Sequence, residues 1–104
     1  MWSAEKEIYI PAVSELLKSA EFCAESEIPI LVVHTWIGFE NVPSPTESGI
    51  KNFGILVDKA KSLGIKIAFE NTEGEEHLFA LMDAFKNNDT VEFCWDSGHE
   101  MCYN

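Results

Sequence analysis

Between about Ile10 and Ser26 the apolar positions Val13, Leu16, Leu17, Ala20, Cys23 and Ala24 recur at helical spacing, while Glu15, Lys18, Glu21 and Glu25 supply a wet face. Pro11 fits the first turn of such a helix, where its missing N–H has no partner to lose. After Pro29 the run "ILVVH" is β-branched and does not alternate with polar residues, which predicts a strand covered on both faces. A loop rich in Pro, Gly and Ser follows, "TWIGFENVPSPTESG". At its end Ser44, Pro45 and Glu47 read as N-cap, first helical residue and capping-box partner. The helix they open carries Ile50, Phe53, Val57, Ala60 and Leu63 on one stripe and stops at Gly64, which tolerates a left-handed backbone. "IKIAFE" is a second strand. Thr72 with Glu75 forms a second capping box, and Leu78, Leu81, Met82 and Phe85 stripe a third helix. The polar "KNND" ends that helix, and "VEFCWD" is the third strand.

Helices alternating with strands predict an α/β fold with parallel pairing through right-handed crossovers. No segment reads as a linker, so residues 1–104 are expected to form one domain. The two-residue alternation of a strand then sorts the side chains. Leu31, Val33, Ile65, Ile67, Phe69, Phe93 and Trp95 fall on faces expected to pack against helices. The opposite faces carry Ile30, Val32 and His34, then Lys66, Ala68 and Glu70, then Glu92, Cys94 and Asp96. Each of these ends in an ionisable residue. His34, Glu70 and Asp96 are therefore expected to converge at the carboxyl end of the sheet, where α/β folds bind ligands. Lys66 sits at the other end and is not a catalytic candidate.

Charge narrows the partners. Seven Lys and Arg against 18 Asp and Glu leave a net charge of −11. That disfavours broad nucleic-acid and acidic-lipid surfaces, which need clustered cations. No apolar run has the length of a membrane span, and the start "MWSAEKEIYI" lacks the pattern of a secretory signal. The expected setting is soluble and cytoplasmic. Cys23, Cys94 and Cys102 are odd in number and form no CxxC pair, so reduced thiols are expected rather than a disulfide framework.

An isolated buried carboxylate costs several kcal/mol to desolvate. Two carboxylates beside an imidazole are accommodated when a divalent cation lies among them, and this donor set suits Mn²⁺, Mg²⁺, Zn²⁺ or Fe²⁺ alike. His99 follows Asp96 across a Gly turn and can return toward the same place. Trp36 and Phe39 either wall a substrate pocket or pack on neighbouring structure. His77, in the first turn of the third helix, is expected to face solvent. No Gly-rich phosphate loop and no nucleophile elbow is present.

Three stretches, "LVVHTW", "GIKIAFENTEG" and "FCWDSGHEMCY", carry a resemblance. They resemble the xylose-isomerase-like (β/α)₈ TIM barrels, the group of sugar isomerases and epimerases and of the endonuclease IV type of abasic-site nuclease. The most specific parts are the strand ending Glu70-Asn71 and the turn Asp96-Ser97-Gly98-His99. The resemblance implies a partial barrel of about three strands and three helices, matching strands three to five. A whole barrel takes ~250 residues. It implies that Glu70 and Asp96 ligate a divalent metal (Mn, Mg, Zn or Co) and that Glu70 also acts as an acid/base on substrate carbon. It implies His34 as a metal ligand in nuclease-type members. His99, Asn71 and Trp36 become the substrate-binding residues. The second catalytic Glu and the later metal-binding His of the family lie on strands outside this match.

The resemblance therefore implies a divalent-metal-dependent isomerase or epimerase of sugars or sugar phosphates, inactive or slow as this short chain. An endonuclease IV-like phosphodiesterase and a non-catalytic metal- or ligand-binding remnant are the alternatives. The chain reads either as a fragment of a longer product or as a short relative that assembles with copies of itself. Three parallel strands leave two unpaired edges and an uncovered apolar face, so a homo-oligomer is expected.

Overall fold

The computed structural model describes residues 1–35, 44–71 and 75–95. Along them run α1 (Lys6–Glu25), β1 (Ile30–His34), α2 (Glu47–Leu63), β2 (Lys66–Glu70), α3 (Glu75–Ala84) and β3 (Val91–Cys94). The strands make one parallel sheet in the order β1-β2-β3. The succession of elements and the parallel pairing are those the hydrophobic periodicity predicts. Register runs from Ile30 opposite Lys66 to His34 opposite Glu70, and from Ile67 opposite Val91 to Glu70 opposite Cys94.

The helices cover one face of the sheet. Val33, Ile67 and Phe69 are buried there against Phe53, Leu56, Val57 and Ala60 of α2, Ala20 and Cys23 of α1, and Leu78 and Leu81 of α3. Phe53 meets Phe69 edge-on with ring centroids 5.5 Å apart, a favoured aromatic geometry. The opposite face is open at β1, where Ile30 and Val32 are exposed. Ala68 on that face, opposite Val32 and Glu92 on the flanking strands, is buried. Lys66 and Glu92 pair across the amino end of the same face at 2.9 Å. That contact accounts for the lysine, at the end of the strand away from Glu70.

Several local expectations are corrected. Helix α1 begins at Lys6 rather than near Ile10, so Pro11 lies inside it. The backbone N–H groups of Ile8 and Tyr9 both donate to the Glu5 carbonyl at 3.0 Å and start the helix earlier. Pro11 is exposed and forfeits only its own N–H bond, toward the Glu7 carbonyl. The N-cap of α2 is Thr46, not Ser44. Its Oγ1 accepts from the Gly49 N–H at 3.0 Å and donates to the Trp2 carbonyl at 2.6 Å. The second partner lies 44 residues away in sequence, so local pattern does not reveal it. Gly64 ends α2 with φ 75°, as expected. Thr72 of the second capping box lies outside the described residues.

Removing the Thr46 hydroxyl loses an N-cap and a tether together. Thr46→Ala is expected to destabilise the fold by about 1–2 kcal/mol, and Thr46→Ser to keep most of that. Urea unfolding of the two variants checks this.

Two further expectations fail for tertiary reasons. His77 is fully buried, not solvent-facing. Its ring stands edge-on to Trp2 with centroids 5.0 Å apart. Phe93 and Trp95 are exposed rather than packed on a helix, although Val91, on the same face of β3, packs against the core. Cys23 and Cys94 are free thiols, and Cys102 lies outside the described residues.

Candidate functional site

The alternation of β1 and β2 brings His34 and Glu70 to the open face, and parallel register sets them side by side at the carboxyl ends. His34 Nε2 stands 3.6 Å from Glu70 Oε2, an ion-pair separation when the imidazole is protonated. The carboxylate is largely buried and the imidazole exposed. A sheltered oxygen donor thus lies beside an accessible nitrogen donor at the ligand-binding end of the sheet.

Cys94 completes this row. It is level with Glu70 on β3, on the same face, and half-buried. Residue alternation alone matches Glu70 with Asp96 as equivalent strand ends. The register instead pairs Glu70 with Cys94, and Asp96 follows two residues later. The signal that finds Cys94 is the β2–β3 stagger, which residue alternation alone does not supply.

Asn71 is fully buried. Its backbone N–H donates to the Cys94 carbonyl at 3.3 Å, carrying the β2–β3 pairing one residue past Glu70. Asp96, His99, Trp36 and Phe39 lie outside the described residues. Among the described residues no three His, Cys, Asp or Glu side chains lie close enough to hold a metal ion.

Behind the end of β1 lies Trp2, which no local sequence pattern singles out. It is fully buried, and its indole N–H donates to the Thr35 carbonyl at 2.6 Å, directly after His34. The Asn52 side-chain amide donates to the Met1 carbonyl at 2.6 Å. The start of the chain is thereby clamped between the carboxyl end of β1 and the first turns of α2. Two aromatic rings, Phe53 at 5.4 Å and His77 at 5.0 Å, flank the indole.

No helix of the described residues is long and apolar enough to cross a membrane. No protein-family model matches the sequence, and no curated protein matches it significantly. Solved structures do match the fold. The TTHB071 protein from Thermus thermophilus, in a crystal soaked with ZnCl₂, superposes with TM-score 0.76 at 23% identity over 97% of this chain and 43% of its own. A xylose isomerase domain protein from Planctomyces limnophilus superposes with TM-score 0.64 at 22% identity over 84% of this chain and 32% of its own. The chain thus spans less than half the length of either. At such identity the likeness is one of fold: the three helices and three parallel strands described above correspond to part of a (β/α)₈ TIM barrel.

Proposed function

We propose that the carboxyl end of this sheet is a divalent-metal site of the sugar isomerase and epimerase type. The observation that carries the reading is the His34–Glu70 pair, 3.6 Å apart at the carboxyl ends of two parallel strands. The donor chemistry fits a divalent ion. Two ligands about 2.0–2.2 Å from a tetrahedral ion lie roughly 3.3–3.6 Å apart, close to the observed separation. His34 and Glu70 would hold the ion together with Asp96, and the zinc soak of the TTHB071 crystal supports testing that metal first.

A bound divalent ion would supply Lewis acidity at the carbonyl and hydroxyl oxygens of an open-chain sugar or sugar phosphate. Glu70 would take a proton from the carbon beside the carbonyl and return it. His34, exposed at the rim, would orient the carboxylate and meet the substrate side of the site. His99, Asn71 and Trp36 belong to this reading as substrate-binding residues. A cytoplasmic small-molecule substrate fits the −11 charge better than a nucleic acid does.

The test is calorimetric titration with Zn²⁺ and Mn²⁺. Weak binding is expected for the 104-residue chain, and its loss in the double variant Glu70→Ala, Asp96→Ala. Equal binding by both proteins removes the site. Turnover of a sugar panel by the chain alone is expected to be absent or slow. The resembled enzymes use two acid/base carboxylates, and such a group typically contributes about 10²–10⁴-fold. Robust metal-dependent isomerisation would show that Glu70 suffices. Salt-sensitive binding to abasic DNA would move the reading to the phosphodiesterase class.

A further inference from the structure

We propose that Trp2 is a positioning residue of the candidate metal site, stapling the two ends of the β1–α2 connection so that His34 is held against Glu70. Two polar groups of this one residue bond in different directions. The indole N–H donates to the Thr35 carbonyl at 2.6 Å, and the backbone carbonyl accepts from the Thr46 hydroxyl at 2.6 Å. Thr35 directly follows β1, and Thr46 is the N-cap of α2. Trp2 therefore fixes both where the chain leaves the strand and where it enters the helix. In (β/α)₈ folds the connections from strand to helix border the ligand-binding end of the sheet.

His34 gains from such support. Its side chain is 52% exposed, so half of its surface lacks enclosing neighbours and its aim depends on the backbone at the end of β1. The parallel register with β2 ends at the level of His34 and Glu70. Element ends open more readily than their centres. The Thr35 carbonyl belongs to a peptide group just beyond that end, and holding it restrains the torsion angles that follow His34. A two-donor site needs its side chains within about 0.5 Å and 10–20° of the productive geometry.

The indole is itself aimed by its surroundings. It is fully buried between the rings of Phe53 and His77, with centroids 5.4 and 5.0 Å away. Gly49, in the first turns of α2, leaves open the space that the six-membered ring takes, where a β-carbon would overlap it. The Asn52 side-chain amide donates to the Met1 carbonyl at 2.6 Å, so the peptide groups on both sides of Trp2 are bonded to α2 or its cap. Filling the core volume needs no N–H. The hydrogen bond adds direction, and it does so at a carbonyl one residue from a candidate ligand. The effect on metal binding rests on the metal-site reading above, while the positioning of His34 is read without metal.

The test compares Trp2→Phe, which keeps a ring and loses the N–H, with Ile65→Ala, a core truncation at the amino end of the sheet. In metal-free protein, nuclear Overhauser contacts between the imidazole protons of His34 and the γ protons of Glu70 are expected in the wild type and in Ile65→Ala, and are expected to be lost in Trp2→Phe. Zn²⁺ affinity, read by competition with a chromophoric chelator, is expected to fall about tenfold in Trp2→Phe and to stay at the wild-type value in Ile65→Ala. Should Trp2→Phe fail to fold, Thr46→Ala reads the other bond of the staple. It is expected to weaken the same contacts, and Thr46→Ser to restore them. Wild-type contacts in Trp2→Phe overturn the proposal. So does their equal loss in Ile65→Ala, which would make the effect one of general loosening, or their absence from the wild type. A wild type that binds no Zn²⁺ removes the metal-site reading, and the metal-free contacts still decide the role of Trp2.

Discussion

Trp2→Ala is expected to destabilise the chain by about 3–5 kcal/mol, the range for emptying a large aromatic site in a packed core. The indole is fully buried, so its whole apolar surface contributes, and truncation leaves a cavity bounded by Phe53 and His77. The Thr35 carbonyl also loses the donor it meets at 2.6 Å. A buried acceptor left without its partner costs about 1–3 kcal/mol unless water enters. Against a typical total stability of about 5–15 kcal/mol this is a large share. Denaturant unfolding measures it, and a change below about 1 kcal/mol would mean that the segment before α1 is not anchored. Trp2→Phe is expected to fall between, keeping much of the volume and losing the N–H. The same variants should disturb the candidate site, because Thr35 directly follows His34.

Gly49→Ala is expected to reverse sign with the residue at position 2. A β-carbon built on Gly49 would overlap the six-membered ring of the Trp2 indole. Neither partner has an easy retreat. Gly49 belongs to the first turns of α2, and the indole is held by its own hydrogen bond and by the contact of Thr46 with the Trp2 carbonyl. In the wild-type background the added methyl is therefore expected to cost about 1–3 kcal/mol or more through overpacking. With Trp2→Ala the clash is gone, and alanine stabilises a helix over glycine by about 1 kcal/mol. The double-mutant cycle should then give a coupling of several kcal/mol. Additive effects would remove the direct contact between the two positions.

Local pattern specifies most of the architecture because it is written in short periods. The stripe from Ile50 to Leu63 and the stop at Gly64 locate α2 from sequence, and alternation in "ILVVH" and "KIAFE" puts His34 and Glu70 on one face. Helix–strand alternation then leaves parallel pairing as the simplest topology, and the pairing follows it. For the same reason the His34–Glu70 half of the candidate site is legible before folding. Each residue needs only to be at the carboxyl end of its strand and on the right face.

What only the tertiary structure decides depends on partners distant in sequence. The N-cap falls on Thr46 because its hydroxyl also reaches the Trp2 carbonyl, and no local preference carries that information. His77 goes inside because Trp2 offers it an aromatic edge, against the ordinary expectation for a histidine in a first helical turn. Strand stagger sets Cys94 beside Glu70, since alternation fixes the face of a residue but not its height against the next strand. Phe93 and Trp95 have the composition of a core and the exposure of a surface. Hydrophobic pattern states which side chains favour burial, while the packing of elements distant in sequence determines which of them obtain it.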